Sequence, residues 1–353
     1  MSLSELQQRS WELPVTVWSI LWFGFCLGLE LASTAGAQEV LTRFERTEPH
    51  MGTQVHIVAY ASSETAWQQA ADAAFRRFAE LDARFSDYRS DSELMQLCAS
   101  APHEQPVSVS EELFDVLRIA ARISEASEGA FDVTVGNLTR LWRRARRQHT
   151  APSKDLLEAA LATVDYKQIR LFEANHAVQL TRKGVRIDLG GIAKGFACDK
   201  ALQELQQQGI TRALIHAGGD MVLGEPPPDA DGWPIAVAGL RRDDPPVEFF
   251  SAARCAVATS GDLWQFLEIE GRRYSHIIDP RTGWGIEGPR SVTVVARDGA
   301  TADALATAIS VLGPERGLNL AKQLQASVLI RMLVQDQVQS YRSCDFPQLA
   351  GSR

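Results

Sequence analysis

VRIDLGGIAKGFACDKALQELQQQGITRALIHAGGD, residues 185–220, is the stretch from which the fold is read. Val185-Arg186-Ile187-Asp188-Leu189 reads as a strand, and Gly190-Gly191 breaks it. Lys194 to Gln208 reads as a helix that Gly209 stops. Ala213 to Ala217 reads as a second strand, broken by Gly218-Gly219. The result is a strand, glycine-rich loop, helix, strand unit. Glycines at such a turn let the backbone approach phosphate oxygens, and a helix N-terminus adds free N–H groups and a favourable dipole. The spacing is neither G-x-G-x-x-G nor a Walker A loop, so neither a Rossmann nor a P-loop assignment follows. Taken alone, the stretch is equally an ordinary structural turn.

Working outward, residues 53–59 read as a strand, with Val55 and Ile57 on one face and Gln54 and His56 on the other. Val58 breaks the alternation, which implies partial cover on both faces. Glu64 to Phe85 repeats apolar residues at three and four spacing (Ala70, Ala74, Phe78, Leu81) and predicts an amphipathic helix. A helix is expected from Ser110 to Ser127, with Ser110 as its N-cap, and a short one at 154–164. Strands are expected within 168–181, at 234–239, 247–250 and 254–258, and from Ser291 to Ala296. Pro226-Pro227-Pro228 marks a surface loop. Thr301 to Leu312 reads as a helix with Gly313 just past its end. No repeat and no clean linker is visible, so the chain beyond its first 37 residues is expected to be one mixed α+β domain.

Four stretches carry chemistry-bearing side chains. The glycine turn is the first. In Thr301-Ala302-Asp303-Ala304-Leu305-Ala306-Thr307, Asp303 and Thr307 fall one helical turn apart on the same face. A carboxylate beside a hydroxyl is a hard-oxygen pair suited to Mg²⁺, though Asp303 also suits the first turn of a helix by its charge alone. Leu305, Ile309 and Leu312 are left for the opposite, core-facing side. Thr259-Ser260-Gly261-Asp262 precedes Tyr274 to Gly283, where His276 stands at the end of a strand before the turn Asp279-Pro280-Arg281-Thr282-Gly283. In Gly129-Ala130-Phe131-Asp132-Val133, a small residue, a ring and a carboxylate in a row suit either a planar ligand or a packed loop.

The chain has 353 residues, 45% hydrophobic and 23% charged, ordinary for a globular protein with a large core. A net charge of −8 gives no reason to expect a nucleic-acid binder. The one basic cluster, Arg143-Arg144-Ala145-Arg146-Arg147, suits an anionic substrate or a membrane surface, but a solvated helix face or loop is the plainer reading. None of the five cysteines forms a C-x-x-C pair, so neither a zinc site nor a redox motif is indicated. Leu13 to Leu29 is almost wholly apolar and Ala35-Gly36-Ala37 fits a small-x-small cleavage pattern. Residues 1–37 are therefore read as a secretory signal or an N-terminal membrane anchor, although the apolar run is short for a span. Cys26, after Gly24-Phe25, is a poor lipoprotein signal.

In this order, these stretches resemble the ApbE family of FAD:protein FMN transferases. The likeness runs through Met51-Gly52-Thr53, Phe85-Ser86-Asp87-Tyr88, Ser92-Glu93-Leu94, Gly129 to Gly136, Asp188 to Gly195, His216 to Asp220, Thr259 to Asp262, Ser275 to Gly283 and Thr301 to Thr307. Residues 38–353 are thereby expected to form one ApbE-like, T-fold-related α+β domain of mixed and antiparallel sheets with packed helices. The resemblance implies Mg²⁺-dependent transfer of the FMN half of FAD to a Thr or Ser hydroxyl of an exported redox protein. It implies FAD contacts at Met51, Tyr88, Ala130, Phe131, Asp132, Gly190, Phe196 and Ile277. It implies Mg²⁺ on the Ala193 carbonyl and the Asp303 and Thr307 side chains, and catalysis by His276, with Asp262 and Asp279 as weaker candidate bases. An exported protein, periplasmic or anchored to the periplasmic face of the inner membrane, is expected. Val133 departs from the family, where proline is common. Two rival activities remain at this stage: hydrolysis of FAD to FMN and AMP, and a carrier that binds FAD without turnover.

Overall fold

A computed structural model describes residues 40–237, 239–240, 248–261, 265–335 and 337–351. The expected signal or anchor segment and Asp262 lie outside the described residues. Strands β1 (Thr42–His50) and β2 (Thr53–Ala61) form a hairpin. Its turn residues Met51 and Gly52 have φ of 50° and 72°, the doubly left-handed pair that matches the twist of two-residue hairpins. Helices α1 (Glu64–Phe85) and α2 (Glu93–Ala99) follow, then β3 (Val107–Ser108), α3 (Glu111–Ala126), α4 (Gly136–Gln148) and α5 (Lys154–Leu161). Next come β4 (Ile169–Phe172), β5 (Ala177–Leu180), α6 (Ala193–Gln207), β6 (Ala213–Ala217) and β7 (Asp220–Leu223). Strands β8 (Trp233–Val237), β9 (Glu248–Ala252), β10 (Cys255–Gly261), β11 (Phe266–Ile269), β12 (Arg272–Ile278), β13 (Gly285–Glu287) and β14 (Arg290–Ala296) succeed them. The described chain ends with α7 (Gly299–Leu312), α8 (Pro314–Gln323), β15 (Ser327–Val334), β16 (Gln337–Arg342) and β17 (Ala350–Gly351).

The main sheet has the order β1-β2-β6-β7-β10-β14-β15-β16, and its described pairings are all antiparallel. Helix α6 packs against both α1 and α7, and α6 and α7 lie on one face of this sheet. The other face meets Trp233, Ile235, Val237 and Phe250 of the small β8–β9 sheet, which cover Val58, Leu223, Val257 and Leu329. Val58 thus breaks the β2 alternation because both faces of that strand are covered. The expected α+β domain with antiparallel sheets and packed helices is what forms.

Local signals explain the helices. The Ser63 side chain accepts from the Ala66 N–H at 3.2 Å and starts α1. Trp67, Ala70, Ala74, Phe78 and Leu81 then turn one stripe inward. Ser110 caps α3 in the same way through the Leu113 N–H, 3.3 Å away. Helix α7 differs from its expected one-sided burial: from Gly299 to Ala306 every residue is buried, because it runs between the sheet and other helices.

Residues 185–189 do not form a strand, which corrects the sequence reading. Val185, Ile187 and Leu189 are buried, but the segment makes only one isolated bridge, between Val135 and Arg186. Its backbone is satisfied by the loop before α4 instead. The Gly136 N–H donates to the Arg186 carbonyl at 3.0 Å and the Asp188 N–H to the Val133 carbonyl at 2.8 Å. The unit is therefore not a parallel strand–helix–strand crossover, and β6 pairs antiparallel with β2 and β7.

Two glycines set the distance between α6 and α7. A Cβ on Gly195 would stand 2.0 Å from the Gly299 carbonyl oxygen, and one on Gly299 would stand 2.4 Å from the Gly195 oxygen. No side chain fits without parting the helices. Gly195→Ala is expected to cost about 2 kcal/mol or more of folding stability, read as a lowered urea midpoint at unchanged slope.

Candidate active site

At one end of the main sheet, turns far apart in sequence meet. A Cβ on Gly218 would lie 3.4 Å from Thr53 Oγ1 and 3.8 Å from Lys194 Cε, so the β1–β2 hairpin, the β6–β7 turn and the start of α6 are neighbours. The Thr259 N–H donates to the Gly219 carbonyl at 2.9 Å and draws in the end of β10. A Cβ on Gly191 would lie 3.1 Å from Thr307 Oγ1 and 3.4 Å from the Phe131 ring, so the glycine turn runs directly under both. Ser260 Oγ and Thr307 Oγ1 are 3.4 Å apart.

The charged centre is Lys194 between two carboxylates. Its Nζ lies 2.8 Å from Asp220 Oδ2 and 3.3 Å from Asp303 Oδ2, and both aspartates are buried. The Gly195 N–H, in the first turn of α6, also donates to Asp303 Oδ2 at 3.4 Å. Burial and the nearby Asp220 push the Asp303 carboxyl up to about 7, against the opposing pull of Lys194. Burial works against the Lys194 charge, but Asp220 and Asp303 outweigh it and hold the ammonium above its ordinary range.

Asp303 and Thr307, expected on one helix face, thus converge on the glycine turn. The hydroxyl of Thr307 and the carboxylate of Asp303 are hard oxygens. Asp220 Oδ2 is buried and, despite its ion pair, makes no hydrogen bond of good geometry with a described residue. Two buried carboxylates drawn together by one ammonium, with the Thr307 hydroxyl on the same helix face as Asp303, fit a Mg²⁺ site. Among the described residues no three His, Cys, Asp or Glu side chains form a metal-ligand group, so such a site would draw on Thr307 and on backbone carbonyls such as that of Ala193, the first residue of α6.

His276 sits half-buried on β12. Its Nδ1 is 3.2 Å from the Gln265 carbonyl, which can only accept, so Nδ1 carries the proton and Nε2 keeps its lone pair. Burial, then the charges of Arg146 and Lys194, lower the imidazole to about 4. It is therefore neutral at pH 7, in the form a general base needs. Asp279 is committed elsewhere, accepting from the Arg281 backbone at 2.9 Å and pairing with its guanidinium at 2.8 Å.

The residues matched to flavin contacts are placed differently from one another. Met51 lies in the β1–β2 turn, Gly190 in the glycine turn and Phe131 against that turn. Tyr88 is exposed on the loop after α1. Ala130, Ile277 and Phe196 are buried, and the Phe196 ring packs on Phe85 at 5.7 Å. Asp132 uses both oxygens within the protein: Oδ1 accepts from Thr134 N and Oγ1 at 2.7 and 2.6 Å, and Oδ2 accepts from the Tyr166 N–H at 2.8 Å. Its carboxylate holds the loop that presents Phe131.

Sequence reasoning missed Lys194 and Asp220 as a pair, and it misread part of the basic cluster. Arg144 and Arg147 are exposed, as a solvated helix face requires. Arg143 is turned inward instead, pairing with Asp87 and, at 3.0 Å, with Asp188 Oδ2, while its guanidinium lies 4.5 Å from the Tyr88 ring centre. A charge run gives no local sign of which member has buried partners.

The relatives of this chain make it a transferase. The solved flavin transferase ApbE from Vibrio cholerae is 32% identical with a TM-score of 0.77, covering 87% of this chain and 99% of that one. The chain belongs to the ApbE family, whose family model matches residues 51–330. A FAD:protein FMN transferase of Vibrio cholerae serotype O1 is 34% identical over 88% of this chain and 94% of its own length. One of Treponema pallidum is 32% identical over 89% and 88%.

The His276 shift has a consequence for stability. Unfolded, the ring takes up a proton near pH 6.5; folded, it does so near 4. Between these values the ring binds its proton more readily in the unfolded chain, so its own contribution to stability is full above pH 6.5 and falls as pH drops through the window. Relative to the parent chain, the urea midpoint of His276→Gln is expected to rise as pH falls from 6.5 to 4, because the variant lacks this loss.

Proposed function

We propose that this chain transfers the FMN half of FAD to a Thr or Ser hydroxyl of a partner protein, with Mg²⁺, and releases AMP. The observation that carries this reading is the convergence of Asp303, Asp220, Lys194 and Thr307 on the glycine turn at the start of α6. The names of the curated relatives carry the transfer of FMN from FAD to a protein. The acceptor on this reading is an exported redox protein with a short Ser/Thr motif, and the enzyme works outside the cytoplasm, free in the periplasm or held at the inner membrane. Among the described residues no helix is long and apolar enough to cross a membrane, so any such anchor would belong to residues 1–37.

The acceptor oxygen attacks the FMN-side phosphorus, the bridging P–O bond breaks, and the electron pair leaves on AMP. The hydroxyl proton passes to Nε2 of His276, the nitrogen left free by the bond between Nδ1 and Gln265. Lys194 keeps the two buried aspartates together at the point where the diphosphate is to lie. The glycine turn and the first N–H groups of α6 offer donors and a positive dipole end to phosphate oxygens. Mg²⁺ on Asp303, Thr307 and the Ala193 carbonyl would neutralise the diphosphate's roughly two negative charges and stabilise the leaving phosphate. Catalysis in transfers of this kind is mostly position and charge.

Mass spectrometry of a co-expressed acceptor tests the reading, with an added FMN mass expected only when the active enzyme is present. EDTA is expected to abolish the modification and Asp303→Ala to lower its rate by about 10²-fold or more; full activity in Asp303→Ala would remove the metal from the proposal. His276→Ala is expected to lose about 10²- to 10⁴-fold. Rapid FMN release from FAD and Mg²⁺ without acceptor would mean hydrolysis instead.

A further inference from the structure

Arg143 stands at a junction that the transfer chemistry leaves unused. One nitrogen of its guanidinium pairs with Asp87, the other lies 3.0 Å from Asp188 Oδ2, and its plane faces the Tyr88 ring at 4.5 Å. Asp87 and Asp188 are both buried. Asp188 Oδ1 in turn accepts from the Gly190 N–H at 2.7 Å and so shapes the glycine turn. Arg186 donates to the Asp87 carbonyl from the segment that leads into that turn. Tyr88 itself is 76% exposed, so Arg143 supports one side of a ring that otherwise faces solvent.

Two segments about a hundred residues apart are thus joined by Arg186 directly and by Arg143 from a third segment, the latter through both carboxylates. The loop 86–88 carries Tyr88, and residues 188–191 carry the glycine turn. We infer that Arg143 is a positioning residue that clamps the Tyr88 loop to the glycine turn and thereby sets the affinity for the flavin dinucleotide. Without the guanidinium, Asp87 and Asp188 face each other across a water-poor gap, and their repulsion drives the two segments apart. Even with Arg143 in place, burial and the Asp188 charge hold the Asp87 carboxyl above its ordinary range. Arg186 also acts on Asp87, and Arg146, one turn further along α4, acts on Arg143 and Tyr88. Arg143 touches no reacting atom on this account, so its loss is expected in binding rather than in turnover.

The inference rests on the proposed flavin-transfer reading, and a binding measurement separates the two. Titrating FAD into the full-length protein and following flavin fluorescence gives Kd without any transfer step. Failure of the parent chain to bind FAD would sink the functional reading itself. If the parent binds, Arg143→Met is expected to weaken FAD by about tenfold or more, with kcat at saturating FAD changed by less than about threefold. Adding Asp87→Asn to Arg143→Met removes the repulsion and is expected to restore most of the affinity. Unchanged Kd in Arg143→Met would overturn the inference. So would a fall in kcat with KM unchanged, or a loss that Asp87→Asn leaves in place, which would mean direct contact with the substrate. Should Arg143→Met not fold, Arg143→Lys supplies the test. It keeps the charge but not the fork that reaches both carboxylates, so an intermediate Kd is expected, and a Kd equal to that of the parent would overturn the inference.

Discussion

The close crossing of α6 and α7 is the constraint on which the site depends. Gly195 and Gly299 let the two backbones approach until no Cβ fits between them. That contact carries Asp303, one turn further along α7, to the N–H of Gly195. The same approach brings Thr307, one more turn along, against Gly191. A side chain at either glycine would move a helix by more than a hydrogen bond tolerates. The N-terminus of α7 is held just as firmly. Asp199 on α6 accepts from the Gly299 and Ala300 N–H groups at 2.7 and 3.0 Å, and Asp298 caps the Thr301 N–H at 2.8 Å. Three polar contacts and one steric one therefore fix where α7 starts, and hence where its carboxylate arrives.

Electrostatics then decides what this point is suited to. Two carboxylates and one ammonium leave one negative charge in excess when all three are ionised. Asp303, pushed up to about 7, shows how poorly the protein alone balances that charge. An isolated carboxylate in such a place takes a proton rather than stay charged. On the proposed reading the excess is useful, since a divalent cation converts it to a net positive charge facing a diphosphate.

Much of this was legible in the sequence where the signals are local. The helix Glu64–Phe85 announces itself by an apolar stripe and Glu111–Ala126 by a serine cap, and Gly209 and Gly313 mark the ends of two more. Asp303 and Thr307 could be paired because helical spacing places them on one face. The rest depends on contacts the local pattern does not encode. Residues 185–189 have the composition of a strand but find a loop as neighbour, so they bridge at one point only. Lys194 and Asp220 are ordinary residues in sequence and become a buried pair only when β7 is laid beside the start of α6. Arg143 was indistinguishable from Arg144 until α4 was placed, since both belong to the same basic run. The resemblance to a family supplied order among the motifs, but not these partners.

An antiparallel sheet has little net dipole of its own, so its ends offer no field to a charged ligand. The charged features at this end come instead from added parts. The start of α6 supplies a positive end, Lys194 a point charge, and Asp220 and Asp303 the opposite sign, all within a few ångströms. His276 stands on another sheet, where burial and the charges of Arg146 and Lys194 keep it neutral. That separation has a chemical logic. Beside the buried carboxylates, an imidazole would be drawn to its protonated form and lose its capacity as a base. Lowered by cations and burial instead, it keeps Nε2 open across the pH range in which Asp303 changes charge. The charges of Arg146 and Lys194 thus help to keep the ring in the form a base needs.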